Sequence, residues 1–216
     1  DTVDYSDPSR YSCQLVPRYG CKIYTLRPGA KISGPIDERE AVDLGLSVKW
    51  APFNVGCKGV LPNNVGGYYN WGDASGKNID GEANPYDLPI QMKSIAGSSL
   101  DIAAMNWGRG WRMPTSEEFQ ELIDKCTWKM VNKRGEVPGY RVTGPSGKSI
   151  FLPFAGYRRG PAFFKQGVVG CYWSASPYTE ARQSAAYFLE MDDDVVSVSR
   201  GDFASTGYSV RPVLDK

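Results

Sequence analysis

Apolar positions along the chain follow three kinds of spacing, and each predicts a different element. Between Pro114 and Thr127 they recur at helical intervals. Phe119, Leu122, Ile123 and Cys126 share one face, and Glu117, Gln120, Glu121, Asp124 and Lys125 occupy the others. Thr115-Ser116-Glu117-Glu118 opens this run as a capping box, in which the Thr115 hydroxyl and the Glu118 carboxylate each accept from the other's backbone amide. The spacing predicts an amphipathic helix of about three turns, and a shorter one is expected from about Leu100 to Met105. Later runs are short and bounded by turn residues. Residues 139–143 and 149–152 flank Gly144-Pro145-Ser146-Gly147, residues 185–191 and 195–199 flank Asp192-Asp193-Asp194, and a last strand is expected over 208–213. The third kind has no period: six Trp, at 50, 71, 107, 111, 128 and 173, are dispersed among frequent Gly, the texture of a core wrapped by long loops. Together these features predict an α+β fold with one main helix, a short second helix and several hairpins.

Residues 1–40 differ from this texture. Arg27-Pro28-Gly29-Ala30-Lys31-Ile32-Ser33-Gly34-Pro35 reads as a linker or a lone edge strand, which places a boundary near Arg39 and the main domain at 41–216. No apolar run reaches the roughly 18 residues a membrane span requires.

Composition narrows the chemistry. The chain has 216 residues and no histidine, which removes Ser-His-Asp and Cys-His hydrolases and His-bound zinc from consideration. With 25 Lys and Arg against 24 Asp and Glu there is no basic excess to suggest a nucleic-acid partner. Of five Cys, Cys13 and Cys21 bracket Pro17 and Gly20, residues able to reverse the chain and bring the two sulfurs within bridging reach, so a local disulfide is expected there. No C-x-x-C pair or ligand spacing exists, and neither metal nor cofactor is expected.

Several short motifs carry candidate chemistry. Asp192-Asp193-Asp194 offers hard oxygen ligands for Ca²⁺, yet adjacent strand-end carboxylates diverge, and a solvated hairpin tip is the expected reading. Arg200-Gly201-Asp202 spells the tripeptide that integrin ligands present on exposed turns; an ordinary turn is expected. Gly144 to Ser149 lacks the spacing of a phosphate loop, and no helix follows it. Arg158, Arg159, Phe163 and Phe164 surround Gly160-Pro161 in a basic and aromatic loop, the residue types enriched at binding hot spots.

Longer strings carry a family resemblance. Ala41-Val42-Asp43-Leu44-Gly45-Leu46-Ser47-Val48-Lys49-Trp50-Ala51, Gly67-Tyr68-Tyr69-Asn70-Trp71-Gly72-Asp73 and Trp107-Gly108-Arg109-Gly110-Trp111-Arg112-Met113-Pro114-Thr115 are followed by Phe151-Leu152-Pro153-Phe154-Ala155-Gly156-Tyr157-Arg158, Tyr172-Trp173-Ser174-Ala175-Ser176 and Tyr208-Ser209-Val210-Arg211-Pro212-Val213. Their order and spacing resemble the Fibrobacter succinogenes major paralogous domain.

The resemblance implies a C-type lectin-like fold, related to the formylglycine-generating enzyme and to the variable proteins of diversity-generating retroelements. It implies an exported, non-catalytic bacterial domain, at the outer membrane, on the cell surface or secreted, with any lipid anchor upstream of this chain and a protein or glycan as ligand. It also places Tyr178, Arg182, Gln183, Tyr187, Ser197, Ser199, Arg200, Asp202 and Phe203 on the ligand-facing side with the 158–164 loop. The enzyme branch is similar in needing a cysteine pair near the C-terminus, where residues 199–213 have none, leaving Cys171 alone for a degenerate oxidoreductase. A hypervariable retroelement target on the same scaffold is the other alternative.

Overall fold

The structure, a computed structural model, describes residues 40–57, 63–77, 93–108, 110–180 and 185–216, which all belong to the unit Glu38–Lys216. Cys13, Cys21, Arg182, Gln183 and nearly all of the N-terminal extension lie outside the described residues. The elements run in the order β1 (Lys49–Trp50), α1 (Ile102–Trp107), β2 (Trp111–Arg112), α2 (Ser116–Lys125), β3 (Thr127–Val131), β4 (Gly139–Thr143), β5 (Ser149–Pro153), β6 (Tyr157–Arg159), β7 (Ala162–Phe164), β8 (Gly170–Pro177), β9 (Ala185–Met191), β10 (Val196–Phe203) and β11 (Val213–Leu214). Among the described residues, two helices and small antiparallel sheets make this an α+β fold. No helix among the described residues is long and apolar enough to cross a membrane.

Helix α2 forms as its sequence predicts. Thr115 Oγ1 accepts from the Glu118 amide at 3.3 Å, and Glu118 returns the bond by accepting from the Thr115 amide at 2.9 Å. Glu118 also takes a bidentate pair from Arg112, whose guanidinium reaches Asp215 as well. The cap is thereby tied to both β2 and the chain's last residues. Cys126 ends the helix with an extended backbone, and its thiol remains packed on the core. Helix α1 starts at Asp101, a fully buried carboxylate that accepts from the amides of Ala103, Ala104, Gly97 and Met113. Four backbone donors compensate for removing that carboxylate from water.

The sheet β10-β9-β8 divides two cores. Strand alternation sends Leu189 and Met191 to one side, where they meet Phe119 and Leu122 of α2, Val142, Leu152 and Trp50. On the other side Trp173 and Phe188 join Trp71, Ile102, Met113 and Tyr208. Nearly every residue of β8 is buried, because its second edge is also covered: Ser209 donates to the Cys171 carbonyl and accepts from the Trp173 amide.

The expected strand over 208–213 differs in the structure. Only Val213–Leu214 form a strand, between β1 and β2. Residues 207–212 instead make backbone bonds to a series of partners: Gly207 and Tyr208 exchange bonds with Arg158 and Tyr69, Ser209 bonds to β8, and the Val210 and Pro212 carbonyls accept from the amides of Val55 and Ala51. Pro212 lacks an amide proton, and Arg211 turns wholly inward to donate to Asn54 Oδ1 and to the carbonyls of Ala51 and Phe151. Burial lowers the guanidinium's pKa to about 10.

Candidate functional site

Beside the hairpin β6–β7, the sheet β8–β9–β10 borders an open cleft of about 470 Å³. Its floor is apolar: Val169, Cys171, Phe188 and the Tyr208 ring, all buried. Tyr157 and Arg159 of β6 form one wall, with Lys165 just beyond β7. Glu190 of β9 and residues 199–202 of β10 form the other.

Local rules explain how each element aims its side chains. In β9, Phe188 and Glu190 point to the cleft while Tyr187 and Leu189 point to the α2 side. In β10, Ser199 pairs with Phe188 and so faces the cleft. Asp202, three residues on, would normally face away. A bulge between Ser199 and Asp202 inserts one residue, with Gly201 at φ +55°, so that Asp202 pairs with Ala186 and returns to the cleft face. A side chain could not replace Gly201, since a Cβ there would lie 2.3 Å from the Tyr178 ring.

The polar groups form two clusters. Tyr208 donates its hydroxyl to Asp202 Oδ2 at 2.5 Å, the Phe203 amide donates to Asp202 Oδ1 at 2.7 Å, and Arg159 approaches Oδ2 at 3.6 Å while lying over the Tyr157 ring. Ser199 donates to Glu190 Oε2 at 2.9 Å. Burial, and then the nearby Cys171 and Asp202, push the Tyr208 phenol well above its ordinary value. Burial also raises the Cys171 thiol to about 12, with smaller contributions from Glu190 and Asp202. At neutral pH the cleft therefore holds a protonated thiol, which is a poor nucleophile and a poor redox group.

Of the residues expected from sequence, Arg159, Ser199, Arg200 and Asp202 meet in the cleft. Phe164 backs it by stacking on Tyr157 at 5.5 Å, and Phe163 is exposed beside Tyr68. Ser197 lies near Ser199 on the same face, outside the lining. Tyr178 and Tyr187 meet edge to face at 5.4 Å away from the cleft, and Phe203 is exposed outside it.

Arg158 corrects the expectation of a displayed side chain, since it is only 5% exposed. Its backbone pairs with Gly207, whose missing side chain leaves room for the guanidinium, and Nη2 donates to Asn70 Oδ1. The Arg-Gly-Asp tripeptide, expected in an ordinary turn, lies instead within β10 at its bulge. Its Asp202 carboxylate is 16% exposed and held by Tyr208 and the Phe203 amide, so it does not project as an integrin contact requires. At the acidic tip, Asp192 accepts from the amides of Asp194 and Val195, which closes the turn. Among the described residues, no three potential metal ligands converge.

Tyr157, Lys165, Val169, Phe188, Glu190 and Tyr208 are the lining residues that local sequence reading left unassigned. The signals were present: Glu190 is the one acidic residue within an otherwise apolar strand, and Lys165 precedes Gly167 in a turn. No protein-family model, curated protein or solved structure matches the chain.

Proposed function

We propose that this chain is a non-catalytic ligand-binding domain, exported and displayed at the bacterial surface or secreted, which holds its ligand in the cleft between β6–β7 and β8–β9–β10. The carrying observation is the convergence of an apolar floor with a rim of Arg159, Lys165, Arg200 and Glu190, four exposed charged side chains around one concavity. A protonated Cys171 and the absence of histidine favour binding over catalysis. The scaffold is proposed to be C-type lectin-like and a member of the Fibrobacter succinogenes major paralogous domain. Supporting that reading, Trp50, Trp71, Trp111 and Trp173 of the family-like strings are all buried core residues, and Pro114-Thr115 opens a capped helix.

The test is a binding screen of the purified chain on glycan and extracellular-matrix protein arrays, with an Arg159→Ala/Arg200→Ala double variant alongside. Signals that disappear in the double variant support the cleft. Signals that persist unchanged place binding elsewhere and defeat the proposal.

A further inference from the structure

The conformation of Lys165 gives the cleft a chemical preference. Lys165 has φ +50° and is the one non-glycine residue with positive φ among the described residues. Such a backbone favours Gly or Asn, and holding a long L side chain there is a strain of the kind that persists at functional sites. The constraint comes from the turn that follows, since the Lys165 carbonyl accepts from the amides of both Val168 and Val169. The Lys165 side chain is exposed at the cleft rim and makes no ion pair among the described residues. Arg200, across the cleft, also has no ion pair there. Arg159 has only the 3.6 Å approach to Asp202.

The acceptors are distributed unequally. Asp202 already takes Tyr208, the Phe203 amide and Arg159. Glu190, an exposed side chain, accepts from Ser199 on Oε2, and its Oε1 takes no hydrogen bond among the described residues. The cleft thus combines surplus cationic donors on its rim with one available carboxylate oxygen.

Resting on the cleft reading above, we infer that the ligand is a hydroxylated organic anion, an acidic sugar residue, whose carboxylate meets Lys165, Arg159 and Arg200 while a ring hydroxyl donates to Glu190. A neutral sugar would leave Lys165 and Arg200 desolvated without a counter-charge. A simple carboxylate would leave Glu190 facing an apolar body, and both omissions cost affinity. The open volume accommodates a ring-sized ligand.

The experiment titrates the full chain, observed by NMR, with D-glucuronate, D-glucose and cyclohexanecarboxylate. It is repeated for Lys165→Gly and Glu190→Gln, with Phe203→Ala as a control outside the cleft. Glucuronate is expected to bind at least about tenfold more tightly than either partial mimic, and each cleft variant should lose about tenfold while Phe203→Ala binds as wild type. Equal binding of glucose and glucuronate, equal binding of cyclohexanecarboxylate, or no glucuronate binding overturns the inference. If the arrays show another ligand that the double variant loses, the cleft proposal survives and only the acidic-sugar assignment falls. If cleft variants change nothing for any ligand, both fall.

Discussion

Replacing Lys165 by glycine should separate stability from binding, because the structure assigns that residue opposite effects on the two. At φ +50° an L residue is disfavoured by about 1–2 kcal/mol, and Gly escapes this. Gly also has more backbone freedom to lose on folding, about 0.5–1 kcal/mol. The difference leaves a stabilisation of about 0.5–1 kcal/mol for Lys165→Gly, or a rise in Tm of about 1–4 °C for a chain of this size. Lys165→Ala keeps the left-handed backbone and gains nothing, so it should melt within about 0.5 kcal/mol of wild type. Both variants remove the ammonium and should weaken glucuronate binding alike. Differential scanning calorimetry and the NMR titration read the two quantities independently. A Lys165→Gly variant no more stable than Lys165→Ala would refute the strain argument, and undiminished binding by both would remove Lys165 from recognition.

Three further outcomes follow from the same geometry. Asp202→Asn weakens the bond to the buried Tyr208 hydroxyl and should cost about 1–3 kcal/mol by urea denaturation; an unchanged midpoint would mean the pair contributes nothing. Asp101→Ala strips the acceptor from four backbone donors at the start of α1 and should cost more than the roughly 0.5–2 kcal/mol of an ordinary cap, with a loss of about 2 kcal/mol or less contradicting the assignment. The third concerns alkaline pH. Cys171 is raised in the folded chain from 9.0 to about 12, so its stabilising contribution is complete below pH 9 and is lost as pH climbs through that interval. Stability should therefore fall by about 1.4 kcal/mol per pH unit from this thiol alone, and the gap between wild type and Cys171→Ala should narrow by about 1 kcal/mol between pH 8.5 and 10. Denaturation at fixed pH values checks this, with a constant gap as the refuting result.

The elements that sequence predicted well are those whose signals are local. The Thr115 capping box and the 3.6-residue apolar spacing of α2 need only a dozen consecutive residues, and the hairpin β4–β5 needs only its Gly-Pro turn. The cleft was legible in part, because Arg159, Ser199, Arg200 and Asp202 occur in polar, turn-rich segments. Its other half was not. Glu190 and Ser199 meet only through the register of β9 with β10, and Asp202 reaches the cleft only through a bulge that no nearby residue demands except Gly201. Arg158 misled for a complementary reason, since its burial depends on Gly207, 49 positions away and lacking a side chain to occupy the space.

The segment 207–214 carries a consequence for biosynthesis. Arg158, Tyr69, β8, Val55, Ala51, β1 and β2 all obtain backbone partners from these eight residues. A ribosome adding about 5–20 residues each second needs roughly ten to thirty seconds to proceed from Trp50 to its partner Val213. For that interval Trp50 has only its local bridge to Val42, and long-range pairings of this kind close slowly even once both partners exist. Until those last residues emerge, β1 and β2 lack the strand that joins them, so this sheet is completed only at the end of synthesis.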